Sequence, residues 1–363
     1  MKNFLLMILS AIILLGCAGP EKKLETVFYP PLPQKPRIQF LVSITSEEDI
    51  GKKTSELEEF LIGEQTSLNK IERPFDIGAA KGRIYISDGA YKKIMIINLE
   101  KKEIEFLKDE GSGALMEPMG IWVTEDDVKY ISDKGRKQIV VYDGENKFLK
   151  TYGDKEQFAM PLDVAVYKDR VYVCDRDKNS IEVLDRETGK TVQTIGGLGS
   201  DEGKMYKPTH VTVDREGNIY VNDNFNFRVQ KFSPSGDYIK HFGYQGDTLG
   251  GFARPKGIAV DNEGHLYVAD AAFENVQVFD DVTAEFVAFF GGYGDKPGDM
   301  YLPSPVHIES LNTGYFEKYV DKNFKVKYLV YVGNMAGFKK LNVYGFGDWI
   351  GEALPEIEIK KKQ

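Results

Sequence analysis

The chain has 363 residues, enough for one large domain or two or three of ordinary size. Its 56 acidic and 47 basic residues give a net charge of −9. That argues against a nucleic-acid partner, since such binding rests on Lys and Arg neutralising phosphates. Two cysteines and no Cys-x-x-Cys-His exclude a disulfide framework and a covalent haem site.

The first element reads as a leader rather than as structure. Lys2 gives a positive start, and Phe4 to Leu15 form an apolar run too short for the roughly 20 residues that span a bilayer. Leu14-Leu15-Gly16-Cys17 resembles the lipobox of bacterial lipoproteins. That resemblance implies cleavage after residue 16, acylation of Cys17 and a membrane anchor through its acyl chains. Ala18 follows where inner-membrane retention in enteric bacteria uses Asp, so the outer membrane is the expected destination in a cell that has one. With Cys17 acylated, Cys174 reads as a small buried thiol without a partner.

Residues 17–36 carry Pro30, Pro31, Pro33 and Pro36 and are expected to form a stiff, extended tether. The run Arg37 to Ile44 is apolar and suits a strand. Ser55 to Leu61 suits a short helix, with Ser55 as N-cap, Glu58 three residues on and Gly63 as the stop.

From about residue 70 the chain repeats itself. Prolines recur at Pro74, Pro118, Pro161, Pro208, Pro255 and Pro303, spaced 44, 43, 47, 47 and 48 residues apart. Behind them run Tyr85 to Asp88, Tyr130 to Asp133, Tyr172 to Asp175, Tyr220 to Asp223 and Tyr267 to Asp270, with Tyr331 to Asn334 as a degraded sixth copy. Each unit holds four short apolar runs separated by Gly, Asp, Asn and Ser turns. Four strands in about 45 residues is the period of a propeller blade. The expected fold is therefore all-β: a six-bladed β-propeller of four-stranded antiparallel blades over 37–350, followed by a tail at 351–363.

The last unit departs most, with an insertion over 310–325. Its inner, second and third strands are expected at Val306–Ile308, Tyr328–Tyr331 and Lys339–Tyr344, and residues 37–44 are expected to close the ring as its outer strand. An open edge would otherwise invite pairing with another chain.

Phe242-Gly243 through Phe279, including Gly246, Gly250, Phe252, Pro255 and Gly257, resembles the NHL repeat. NHL propellers commonly serve protein–protein contact, so the resemblance implies a binding or scaffold module in the cell envelope. An accessory part of an electron-transfer assembly is one form this takes. Related propellers include metal-dependent lactonases and a peptide-amidating lyase that work in the axial channel, which leaves a hydrolase or lyase as the alternative.

Two groups of residues are candidates for binding. Asp76, Asp163 and His210 lie two residues past their prolines, near one mouth of the channel, and His307 lies one step further along its strand. Such oxygen and imidazole groups suit a divalent cation in the axial channel, or structural roles in turns and with channel water. Phe225, Phe227 and Phe273 fall in turns between second and third strands and suit a protein- or glycan-binding rim. No catalytic constellation is evident. The repeated Asp88, Asp133, Asp175, Asp223 and Asp270 are expected to hold turns.

Overall fold

A computed structural model of the chain describes residues 26–52, 69–154 and 156–354. The leader, Cys17 and the Ser55 to Leu61 helix lie outside the described residues, as does the tail beyond 354.

Six sheets surround one axis. Blade one consists of Pro74–Ala80, Arg83–Asp88, Lys93–Asn98 and Glu103–Phe106. Blade two runs Pro118–Val123, Lys129–Asp133, Gln138–Tyr142 and Phe148–Tyr152. Blade three runs Pro161–Tyr167, Arg170–Asp175, Ser180–Asp185 and Thr191–Gly196. Blade four runs His210–Val213, Ile219–Asp223, Arg228–Phe232 and Tyr238–Phe242. Blade five runs Pro255–Val260, His265–Asp270, Asn275–Asp280 and Phe286–Gly291. Successive inner strands touch, and that of blade six touches that of blade one, so the ring is closed in chain order.

Blade six is built from both ends of the described chain. Pro303–Glu309, Phe324–Asn334 and Leu341–Trp349 are its first three strands, and Ile38–Ile44 is the fourth, paired antiparallel from Ile38 opposite Phe346 to Ile44 opposite Leu341. The expected closure is what the fold contains. The third strand runs further than expected, to Trp349, and the insertion folds as a short helix, Thr313–Phe316, and a turn before the second strand begins at Phe324.

The proline-rich tether needs a correction. Phe28–Tyr29 form a fifth strand on Ile38 and Gln39, and buried Phe28 packs against Phe324 and Trp349 with ring centroids 5.7 Å away in each case. Two large aromatic rings gain more from burial than an extended spacer gains from hydration. The described body thus begins by residue 26, and residues 26–36 are part of it.

Two side chains of the repeat explain most of the construction. The aspartate that ends each second strand is fully buried in blades one to five. Asp88 accepts the backbone N–H groups of Glu72, Arg73 and Ala90, Asp133 those of Met116, Glu117 and Arg136, and Asp270 those of Ala253, Arg254 and Ala272. Each carboxylate therefore ties the loop entering its blade to the turn after its second strand. In blade six Asn334 does the same with one oxygen, accepting from the Tyr301 N–H.

The tyrosine three residues earlier reaches the next blade in several copies. Tyr85 donates to Asp127 Oδ2 at 3.1 Å, Tyr220 to Asp281 Oδ1 at 2.8 Å, and the Tyr130 hydroxyl accepts from Arg186 Nε at 2.7 Å. Cys174 is buried in the second strand of blade three, within the core between blades three and four.

Removing one repeated carboxylate should leave several buried donors unpaired, each worth about 1–3 kcal/mol. Asp270→Ala is expected to lower unfolding free energy by on the order of 3–5 kcal/mol in denaturant titrations. Asp247→Ala, in an exposed loop, should stay within about 0.5 kcal/mol of the parent.

Candidate functional site

Inner strands are edge strands, so their axial N–H and C=O groups need partners from elsewhere. Asp76 supplies one for blade two, accepting the Ile121 N–H at 2.7 Å on Oδ2 and its own neighbour's, Ile77, at 2.9 Å on Oδ1. Asp163 repeats the arrangement towards blade four, accepting Val211 N–H at 2.8 Å and Val164 N–H at 2.8 Å. Between them, blade two has Gly120. A Cβ there would lie 2.2 Å from Asp163 Oδ1, so glycine is what lets that carboxyl reach the axis.

The two carboxyls lie close enough for each to influence the other's protonation. Burial is the larger cause: it raises Asp76 to about 7, and Asp163, buried beside the charge of Asp76, is raised well above the usual range.

His210 lies across the ring from blade one, and its imidazole stacks on Phe75 with centroids 5.5 Å apart and planes 18° from parallel. Blades one and four are opposite, so this pair bridges the axis. Burial, with a smaller contribution from the Lys256 charge, lowers His210 to about 3. Its Nδ1 lies 3.1 Å from Thr209 Oγ1, whereas Nε2 has no hydrogen-bond partner. His307 sits in the wall of blade six, beside Tyr331 at 6.4 Å between ring centroids, and burial lowers it to about 4.

These residues were expected near a channel mouth. The structure places Asp76, Asp163 and His210 at the inner end of a cavity of about 520 Å³ instead. The reason is steric: Phe75 over His210 closes the axis on the side where the inner strands begin. From there the cavity widens towards the turns joining first to second strands, where Trp122, Glu125, Arg215, Glu263, Lys327 and Tyr328 surround its opening. Among the described residues, no three His, Cys, Asp or Glu side chains are gathered so as to hold a metal ion.

Trp122 is a cavity residue that sequence reading passed over. The signal was present: Gly120-Ile121-Trp122-Val123 stands where blade five has Gly257-Ile258-Ala259-Val260. A tryptophan replaces the small residue expected where blades converge. Tyr328 gave no such signal, since its place depends on pairing with Phe346, on which its ring stacks at 4.7 Å.

The rim phenylalanines lie on the opposite face and differ from one another. Phe225 is exposed and packs on exposed Tyr206 at 5.3 Å. Phe227 takes a left-handed backbone, φ 54°, and turns against the core between blades four and five. Phe273 is half-buried.

The buried carboxyl pair has a pH signature. Folding raises both groups above their unfolded values, so their contribution is fully present below about pH 4 and is lost as pH rises through about 7. The unfolding midpoint should therefore fall between pH 5 and pH 8, by on the order of 5 °C. Asp76→Asn is expected to flatten that slope in thermal scans, whatever its effect on the midpoint itself.

The NHL repeat model matches residues 252–279, the core of blade five. Among curated proteins, the E3 ubiquitin-protein ligase TRIM71 of Rattus norvegicus is 44% identical over 50 residues, 14% of this chain and 6% of that protein. The probable peptidyl-alpha-hydroxyglycine alpha-amidating lyase pgal-1 of Caenorhabditis elegans is 30% identical over 106 residues, 28% of this chain and 30% of that protein. The chain thus spans less than a third of either relative. Among solved structures, a Bacteroides thetaiotaomicron protein of unknown function aligns with a TM-score of 0.55 at 16% identity, over 85% of this chain and 75% of that one. A catalytically inactive virginiamycin B lyase from Staphylococcus aureus, solved with quinupristin, gives 0.52 at 14%, over 77% and 97%. At those identities the likeness is one of fold. The chain is thus a six-bladed β-propeller that carries an NHL repeat in its fifth blade.

Proposed function

We propose that this chain is an exported, lipid-anchored binding module that engages a protein partner in the cell envelope through the open end of its axial cavity. One observation carries the reading. The cavity is blind at the Phe75–His210 stack and open at the other end, where half-buried Trp122 stands among charged side chains. Its deepest polar groups, Asp76 and Asp163, are committed to the backbone of neighbouring blades, so the ring itself uses them.

The turns around the opening give the partner its chemistry. Glu125, Asp126, Asp127, Asp169, Asp214, Glu216, Asp261 and Glu263 outnumber Lys81, Lys168, Arg215 and Lys327 there. A partner segment carrying Lys or Arg beside an apolar or aromatic side chain suits such a mouth. The anchor rests on the Leu14-Leu15-Gly16-Cys17 pattern, and Ala18 favours the outer membrane where one exists.

A second reading is a lyase working in the same cavity. The likeness to the amidating lyase over 106 residues favours it, as does a cavity large enough for a small substrate.

Affinity capture of the full-length, membrane-extracted protein separates the two. A stoichiometric protein partner is expected, with recovery reduced at least about tenfold by Glu125→Lys and unchanged by Phe225→Ala. Recovery of the propeller alone, with turnover of C-terminally hydroxyglycine-extended peptides, would overturn the binding reading in favour of the lyase.

A further inference from the structure

The face opposite the cavity opening is built from the turns between second and third strands and the loops that lead from one blade to the next. Exposed large apolar side chains collect there on the arc from blade three to blade six: Leu198, Phe225, Tyr244, Leu249, Tyr293 and Phe338. Their exposure is structurally imposed. The glycine-rich loops of blades three to five close through bridges between Leu198 and Met205, Gln245 and Phe252, and Tyr293 and Met300. Met205, Phe252 and Met300 turn fully inward, so their opposite numbers and neighbours turn out. At Gly243, φ 77°, a Cβ would lie 2.2 Å from the Phe252 ring, so this inward turn admits no side chain there.

Two further observations select what covers this arc. The first is charge. In the six turns between second and third strands, Lys134, Arg136, Lys137, Arg176, Lys178, Lys339 and Lys340 outnumber Asp177 and Glu274. Lys134 also pairs with Glu117 at 2.8 Å, and the loops between blades are mixed, with Asp201, Glu202, Asp247, Asp295 and Asp299 beside Lys204, Lys207, Arg254 and Lys296. The cavity face has the reverse balance. The second is where the chain leaves the body. Phe28–Tyr29 run antiparallel to Ile38–Ile44, and Val27 O accepts the Phe40 N–H, so residue 26 points along that strand towards Ile44. Ile44 pairs with Leu341, at the foot of the turn that carries Phe338. The chain therefore exits blade six on the side of the apolar arc. From Thr26 back to Cys17 are nine peptide steps, which span at most about 30 Å even when fully extended.

We propose that the apolar and basic arc rests on the lipid bilayer, holding the propeller face-down so that the axial cavity opens away from the membrane. This rests on acylation of Cys17. Tyr, Phe and Leu side chains suit the interfacial zone, where amphipathic rings lie at headgroup depth. Flanking Lys and Arg suit anionic headgroups. The acidic cavity face is the one that such headgroups would repel.

The test uses the acylated, full-length protein reconstituted in vesicles of phosphatidylcholine with phosphatidylglycerol. With Cys17 acylated and Cys174 buried, a fluorophore can be attached singly at Leu198→Cys, Tyr293→Cys or Val282→Cys, the last on the cavity face. Bromine-labelled acyl chains are expected to quench emission at positions 198 and 293 and leave 282 unchanged, with weaker quenching when phosphatidylglycerol is omitted. Equal quenching at all three positions, or none at 198 and 293 while the protein still sediments with vesicles, would overturn the docking and leave the anchor standing. A protein whose N-terminal peptide shows no acyl mass and which stays in the supernatant removes the anchor itself. Circular dichroism of each labelled variant confirms that the propeller is intact.

Discussion

The fold depends on a buried carboxylate used over and over. A loop entering a blade and a hairpin turn leaving its second strand both bring unpaired N–H groups to the same buried spot. One aspartate answers both sets. Charge-assisted bonds of this kind are roughly twice as strong as neutral ones, and a carboxylate stripped of them would be costly to bury. Asp88, Asp133 and Asp270 therefore act less as individual contacts than as the joint at which each blade is hung. Asp223 shows how the joint adapts: it accepts the Tyr206 N–H but takes its other bonds from the Asn226 and Gln230 amides and the Arg228 guanidinium.

Around the axis the same problem is solved differently. Six inner strands converge as bare edges, and the space is too small for six side chains of equal size. Glycines in blades two and five make the room instead. Asp76 and Asp163 reach across to neighbouring strands because Gly120 gives way between them. Gly257 gives way to the backbone of blade six in the same manner, where a Cβ would stand 2.3 Å from Ser304 O. The consequence for function is that the most chemically suggestive side chains near the axis are engaged in holding blades together. What remains available to a ligand lies further along, among Trp122, Arg215 and Lys327.

Much of this architecture is legible in the sequence, because a propeller is a periodic object and its period survives in Pro, Tyr and Asp. Closure by residues 37–44 follows from counting strands in the last unit, since three were present and four were needed. What eludes reading is set by contacts between residues far apart in the chain. Phe28 is taken from its proline-rich surroundings into a fifth strand by Phe324 and Trp349, about 300 residues away or more. The closed inner end of the cavity depends on Phe75 meeting His210 across the ring, and neither residue's local pattern predicts the other's position. Phe225 and Phe227 are two residues apart and read alike, yet a left-handed turn sends one into solvent and the other against the core.

Blade six joins Ile38–Ile44 to Leu341–Trp349, so apart from the two residues Phe28–Tyr29 this strand has no partner until Leu341–Trp349 is in place. Few arrangements give a longer sequence separation to a pair that the whole ring needs, and such non-local pairing is slow to form. Each of the five other blades can assemble as its own residues appear, while the ring stays open like an unfastened bracelet. Any chain cut short before about residue 341 would carry two bare edges at once, one at each end, and would stand apart from the finished molecule as a substrate for proteases and chaperones. The ring is thus fastened only once its sixth blade is made.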